Sequence, residues 1–448
     1  MIIIFAVIPS TIHNDKFRIK VPVTLKYPPH VTEKGNVFLI SKIKPIVFRK
    51  MSSEYESDPS LNNLRNYLRI RSVHPNVNYD ECITYLRGQA ADLGLPVQVY
   101  EPLPKKPVLV MTWEGLEPTL PSVLLNSHMD VVPVFEKSWT HPPFEAHLKD
   151  GVIYGRGVQD MKSVAVQYIE AVKRIKAKGL RLKRTLHLSF VPDEEIGGRT
   201  GMAEFVKTDA FKALNVGFAL DEGLASATEE FLLYNGERNI WHMKITCPGK
   251  SGHGSLLLPD NSGEKLRYMI DKLMDLRTAS KKQLADNPDL TIGDVTTVNL
   301  TMLSGGIQNN VVPEKLTASF DIRIAQTVDQ IQFESQIRRW CSEAGDGVTI
   351  QFNQKDPFVE STKLDDTNAY WVAFKAAAEL LKITLKPCIF PGGTDSRYIR
   401  ELGIPALGFS PMSNTVPGLH EHDERLRADV FLRGIGIYEA IIPAVANV

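Results

Sequence analysis

From Ser122 to Glu222 short apolar runs alternate with a helical one: Val123–Asn126, then Met161–Lys178, then Thr185–Val191, then Val216–Leu220. A chain with this rhythm folds as strands covered by helices, the α/β class. Within the helical run Val164, Tyr168, Val172 and Ile175 recur at helical spacing, and Gly179 is a good terminator. That apolar stripe is expected to pack on the sheet. Between about Ile240 and Asn353 the rhythm changes. Trp241, Met243, Ile245 and Cys247 alternate with polar residues, Glu264–Arg277 reads helical, and Thr296, Val298, Leu300 and Met302 alternate again. Leu316, Ala318, Phe320, Ile322 and Ile324 then form a clear strand pattern, Val328–Glu343 reads helical, and Val348–Phe352 is a last short strand. The order βαββαβ is the ferredoxin-like split arrangement. Because Ala369–Leu381 then reads helical and Pro405–Phe409 strand-like, this unit is an insertion, and the first domain is discontinuous.

The resulting division is 51–238 with 356–448 as one α/β domain and 239–355 as the inserted one. Residues 1–50 stand apart, rich in Ile, Val, Pro and Lys without a sustained period, while Met51-Ser52-Ser53 resembles an ordinary start. They read as an atypical extension, either a genuine one or, the favoured reading, a stretch upstream of the true initiator at Met51, and no functional argument uses them.

Hydrophobic residues make up 43% of the chain and charged residues 23%, which removes disordered, collagen-like and coiled-coil readings. Lys+Arg and Asp+Glu each total 52, so the basic footprint of a general nucleic-acid binder is missing. Cys82, Cys247, Cys341 and Cys388 lie far apart with no C-x-x-C pair, so neither a disulfide framework nor a cysteine zinc site is indicated, and a reducing compartment fits. The longest apolar stretch, Met1–Ile8, is far short of the ~20 residues a membrane helix needs. It also has no basic residue before it and no small-residue cleavage site soon after, so a cytoplasmic location is expected.

Chemistry gathers at strand ends. His128-Met129-Asp130 follows the first strand, Asp193-Glu194-Glu195 the second and Asp221-Glu222 the third. In an open α/β sheet the turns at the carboxyl ends of strands form the functional crevice, so these groups share one rim. Asp160 lies in a glycine-rich turn, Gly155-Arg156-Gly157-Val158-Gln159-Asp160, and His420-Glu421-His422-Asp423 lies in the C-terminal α/β portion. Any one acidic pair is as well explained by a solvated loop or a helix N-cap. Together they would repel unless protonated or neutralised by cations, and His with Asp/Glu donors suits Zn²⁺, or alternatively Mn²⁺ or Co²⁺. Two metals bridged by one carboxylate would balance the charge.

Three stretches resemble the signatures of the di-zinc amidohydrolase family that includes aminoacylases and carboxypeptidases: Ser127-His128-Met129-Asp130-Val131-Val132-Pro133, Gly155-Arg156-Gly157-Val158-Gln159-Asp160-Met161-Lys162 and Val191-Pro192-Asp193-Glu194-Glu195-Ile196-Gly197-Gly198. Within the family Phe218–Gly223, Ala406–Met412 and Leu419–Arg425 look most like aminoacylases, and the resemblance runs from about Met51 to the C-terminus. It implies a zinc-peptidase-like catalytic domain and, for the insertion, a lid or dimerisation role. It implies that His128, Asp160 and Glu222 hold one zinc, that Asp160, Glu195 and His420 hold the other, and that Glu194 is the catalytic base. Asp130 is suited to orienting the His128 imidazole. Glu at 222, where other family members often carry Asp, favours an aminoacylase over a general peptidase. His253, in Gly249-Lys250-Ser251-Gly252-His253-Gly254-Ser255, matches the histidine that stabilises the oxyanion, usually in the other subunit's site, so a homodimer through the inserted domain is implied. Asn310, Arg323 and Gly392 match substrate-contact positions; a guanidinium at 323 suits the free α-carboxylate of an acylated amino acid.

The expected activity is zinc-dependent hydrolysis of N-acyl-L-amino acids, typically N-acetyl, to an amino acid and a carboxylate. A water shared by two zinc ions falls in pKa from 15.7 toward about 7, and Glu194 takes its proton. No G-x-S-x-G elbow or motif cysteine offers a covalent route. A metallo-carboxypeptidase or dipeptidase of the same family would keep every ligand and differ in pocket shape. A non-catalytic binding protein would be expected to have lost a ligand or the base, and all are present.

Overall fold

Strands covered by helices on both sides need apolar side chains at nearly every position. In Ser122–His128 and Leu186–Val191 every residue is buried, and Val123, Leu124, Leu125, Leu186, Leu188, Phe190 and Val191 supply the apolar surface while the polar residues among them are buried with it. A computed structural model describes residues 54–448; the segment 1–50 lies outside the described residues. In chain order the first elements are α1 (Pro59–Leu68), α2 (Asp80–Leu93), β1 (Val97–Leu103), β2 (Lys106–Trp113), β3 (Ser122–His128), β4 (His147–Lys149), β5 (Val152–Tyr154), α3 (Lys162–Ala177), β6 (Leu186–Val191), α4 (Met202–Phe205), α5 (Asp209–Ala213), β7 (Val216–Asp221) and β8 (Phe231–Glu237). The inserted stretch follows with β9 (Asn239–Pro248), β10 (Gly252–His253), α6 (Ser262–Asp286), β11 (Thr297–Gly305), β12 (Val311–Val312), β13 (Lys315–Ile324), α7 (Gln330–Ala344) and β14 (Thr349–Lys355). The chain closes with α8 (Ala369–Leu380), β15 (Leu385–Phe390), α9 (Ser396–Glu401), β16 (Ala406–Gly408), β17 (Arg425–Arg427) and α10 (Ala428–Ala446).

The large sheet has the order β1-β2-β6-β3-β7-β16-β8-β15. Its centre, β6-β3-β7-β16, is parallel, so β3, β6 and β7 end on one rim. Alternate residues divide between two cores: Val123 and Leu125 of β3 join the one built with α1, α2, α3 and α10, while Leu124 joins Met202, Phe205, Phe211 and Ile399 on the other face. The stripe of α3 packs as its spacing requires. Val164, Tyr168, Val172 and Ile175 are at most 1% exposed, and full burial of such an apolar side chain contributes roughly 1.5–3 kcal/mol. The helix stops where Gly179 enters the left-handed region at φ 70°.

The second sheet, β11-β13-β9-β14, is antiparallel throughout, with α6 and α7 packed against it over a separate core that includes Trp241, Met243, Ile245, Phe320 and Ile322. This is the ferredoxin-like βαββαβ arrangement, carried on the α/β frame. Among the described residues no helix is long and apolar enough to cross a membrane.

Candidate metal and catalytic site

The parallel strands put their ends beside one another, and five side chains from distant parts of the chain meet there. Asp160, seven per cent exposed, stands between the two histidines. Its Oδ1 lies 3.1 Å from His128 Nε2 and its Oδ2 lies 3.2 Å from His420 Nε2. Glu222 Oε2 is 3.6 Å from His128 Nε2, and Glu195 Oε2 is 3.0 Å from His420 Nε2. Glu194 Oε2 lies 3.9 Å from His128 Nε2, on the Glu222 side. The arrangement has two halves sharing one carboxylate: His128, Asp160 and Glu222, then Asp160, Glu195 and His420.

The surrounding chain fixes these groups. His128 Nδ1 lies 2.9 Å from the Asp130 carbonyl oxygen, which accepts a hydrogen bond from it and leaves Nε2 facing the acids. The orienting contact assigned to the Asp130 carboxylate is therefore made by its backbone; the nearer carboxylate oxygen stands 3.7 Å away. That carboxylate instead accepts the backbone N–H groups of Glu194 at 3.2 Å and Glu195 at 3.1 Å and pairs with His74 at 2.8 Å. The reason is local: the turn after β6 exposes two consecutive N–H donors beside it. Glu424 does the same for the other loops. It accepts from Gly157 N, Gln159 N, Asp160 N and Arg156, so one buried carboxylate holds the Asp160 turn four residues beyond His420.

Four acids crowd two imidazoles, and their proton affinities show it. Burial, then the charge of Glu222, pushes Glu194 well above the usual carboxylate range. Burial and Asp160 push Glu195 up to about 7. Burial also works to raise Asp160, but hydrogen bonds from His128 and His420 outweigh it and hold the group low. Hydrogen bonds to Asp160 and Glu195 raise His420 to about 10. Glu195 Oε1 is buried without a hydrogen-bond partner. Oxygen donors in excess, two Nε2 atoms turned inward and an orphaned carboxylate oxygen fit a pair of divalent cations.

A cavity of about 460 Å³ opens over this cluster, lined by Asp160, Glu194, Glu195, Glu222 and His420 together with Arg323 and Gly392. Two of the four predicted substrate contacts are thus at the site. His253 and Asn310 are not among its lining residues. They sit together at the β10–β12 pair, His253 on β10 and Asn310 just before β12, where Gly254 N donates to Asn310 O at 2.7 Å, and His253 is exposed. Sequence reading missed His242, Gln354, Arg199 and Arg397, which line the same cavity. His242 had a signal: it alternates with Trp241 and Met243, and the register sets it opposite Asp321, two residues before Arg323. Arg397 had none, because it sits on α9 and its place at the site shows only in a long-range contact, its guanidinium donating to the Gly197 carbonyl at 2.6 Å.

Residues 124–444 match the sequence profile of Peptidase family M20/M25/M40. Mouse (Mus musculus) aminoacylase-1 is 51% identical over 391 residues, covering 87% of this chain and 96% of that protein. Among solved structures, an M20 family metallo-carboxypeptidase from Sulfolobus solfataricus superposes with TM-score 0.67 at 18% identity, over 87% of this chain and 99% of that one. A dinuclear metal-binding M20 peptidase from Bacillus subtilis does so with TM-score 0.62 at 17% identity, over 89% and 99%. The shared fold, the profile match and the long near-half identity agree that the chain belongs to peptidase family M20/M25/M40.

Proposed function

We propose that this chain is an aminoacylase that cleaves the amide of N-acyl-L-amino acids, releasing the amino acid and a small carboxylate. One observation carries the metallohydrolase part: Asp160 directs one oxygen to His128 and the other to His420, with Glu194 left over beside them. The substrate class rests on the mouse relative, aminoacylase-1, at 51% identity.

In this reading His128, Asp160 and Glu222 would hold one zinc, and Asp160, Glu195 and His420 the other. Bound zinc supplies positive charge beside the acyl carbonyl and makes water more acidic. Glu194 does the proton work: its carboxylate takes a proton from the attacking water and gives it to the departing nitrogen. The water's oxygen joins the acyl carbon, the C–N bond breaks, and the amine leaves neutral. Arg323 suits the α-carboxylate. Asp321 already holds its Nε and Nη2 at 2.8 and 3.0 Å, which fixes the guanidinium and leaves its Nη1 side available for a second acid. At Gly392 an added Cβ would stand 3.3 Å from Phe390, so glycine keeps this wall of the cavity thin. His253 and Asn310, side by side on the inserted domain, fit a role in a partner subunit's site, so the active form is a homodimer; the four free, unpaired cysteines fit a cytoplasmic location.

The test is hydrolysis of N-acetyl-L-methionine against dipeptides, before chelation, after it, and after zinc is restored. The expected result is preference for the N-acetyl substrate, loss on chelation and recovery with zinc. Activity that survives chelation rejects the metal assignment, and preference for dipeptides rejects the aminoacylase assignment.

A further inference from the structure

The turn that carries Glu194 and Glu195 begins at Asp193, whose backbone is in the left-handed region at φ 60°. A residue with a Cβ stays there only if its surroundings hold it. The Asp193 side chain is fully buried, and it is the handle. Its Oδ1 accepts from the Tyr79 hydroxyl at 2.8 Å, and the same hydroxyl accepts the Asp193 N–H at 3.0 Å. Its Oδ2 accepts from Thr200 Oγ1 at 2.5 Å and pairs with Lys106 Nζ at 2.5 Å. Tyr79 and Thr200 are neutral, and His74, at 3.9 Å, gives its close contact to Asp130 instead. Among the described residues Lys106 is the only lysine or arginine within ion-pair reach of Asp193.

The placement of Lys106 follows from the sheet. Strand β2 pairs antiparallel with β6 in the register Leu109 opposite Phe190. Continuing that register three residues sets Lys106, the first residue of β2, opposite Asp193. A cross-strand neighbour of the catalytic turn is thus a lysine from the outer hairpin, its side chain one-quarter exposed and its ammonium over the Tyr79 ring. We infer that Lys106 is a positioning residue for catalysis: by neutralising Asp193 it fixes the turn that aims Glu194 and Glu195 at the metal cluster.

Groups that hold a ligand-bearing segment from outside typically change activity or metal affinity roughly 10–100-fold when removed. The experiment compares wild type, Lys106→Met and Lys106→Arg in the full chain, by kcat and KM on N-acetyl-L-methionine and by Co²⁺ affinity of the stripped protein from its visible absorbance. Lys106→Met should lose about 10–100-fold in kcat or Co²⁺ affinity, with KM nearly unchanged, and Lys106→Arg should recover most of the loss. A loss above threefold in either quantity, largely recovered by arginine, supports the inference. Lys106→Met within threefold of wild type in both quantities overturns it, and so does an arginine variant no better than methionine. Should Lys106→Met not fold, Lys106→Gln replaces it, and failure of both to fold makes the lysine structural and ends the inference. The kinetic arm rests on the aminoacylase reading but the Co²⁺ arm does not. A wild-type chain inactive on every N-acyl amino acid would sink that reading and leave Lys106 decided by cobalt.

Discussion

Adjacent glutamates need not share a job. Glu195 Oε2 is 3.0 Å from His420, in one half of the cluster, whereas Glu194 approaches only the His128 side, at 3.9 Å. Glu195→Gln should therefore lower zinc content, since it removes a donor charge beside His420. Glu194→Gln should keep both zinc equivalents and lose about 10²–10⁴-fold in kcat, the usual worth of a positioned general base. Metal analysis alongside steady-state kinetics on N-acetyl-L-methionine reads both, and a Glu194→Gln protein short of zinc would make Glu194 a ligand. At this scale the sequence was informative at strand ends, where His128, Glu195 and Glu222 stand, and in the motifs that carry Asp160 and His420, and all five converge. Their supports were not. Glu424, Tyr79 and Lys106 act through backbone N–H groups and buried carboxylates that appear only once the loops are folded together.

Elements with a clean period were readable, and those without one were not. Burial alternates from Trp241 to Pro248 of β9 and from Ala318 to Ile324 of β13 because one face of the inserted sheet is a core, and β3 and β6 are buried along their whole length because two cores cover them. Helix α10, by contrast, is interrupted in sequence by Gly434, Gly436 and Pro443, poor helix formers that mask a face buried at helical spacing from Ala428 through Phe431, Ile435, Tyr438 and Ile442 to Val445. Complete burial also has a cost that strand β6 makes measurable. His187 is buried there, with Nδ1 beside the Thr112 hydroxyl at 3.0 Å and Nε2 beside the Leu214 carbonyl at 3.2 Å, an arrangement that suits a neutral ring donating from Nε2. Burial lowers its pKa from 6.5 to about 4. The unfolded chain therefore binds this proton below 6.5 while the folded chain resists it until about 4, so its contribution is intact above pH 6.5 and declines on acidification. Full loss amounts to about 3 kcal/mol. Urea unfolding should show His187→Gln less stable than wild type at pH 7 but with a shallower decline between pH 6.5 and 4. Parallel pH curves for the two proteins would reject the assignment.

At the scale of the whole molecule, the cavity formed within one chain lacks two groups that the family resemblance implies for it. His253 and Asn310 share one end of the inserted domain, yet neither lines the cavity that holds Glu194. Nearby apolar side chains are exposed as well: Leu256 and Leu257 follow His253, and Met302, Leu303 and Ile307 lie on or just beyond β11, an edge strand of the second sheet. Exposed apolar groups on an unpaired edge are what a subunit contact covers. If a twofold pairing brings His253 of one subunit to the cavity of the other, two inactive variants should repair each other. A Glu194→Gln subunit still carries His253, and a His253→Ala subunit still carries Glu194. In a mixed dimer one of the two sites then has both groups, and the other has neither. With random exchange half of all dimers are mixed, so activity should return to about a quarter of the wild-type value from two preparations that are separately near zero. Co-expression from one cell followed by assay on N-acetyl-L-methionine measures this directly. If His253 serves its own subunit, each site in every dimer lacks one group, and no mixing ratio restores turnover.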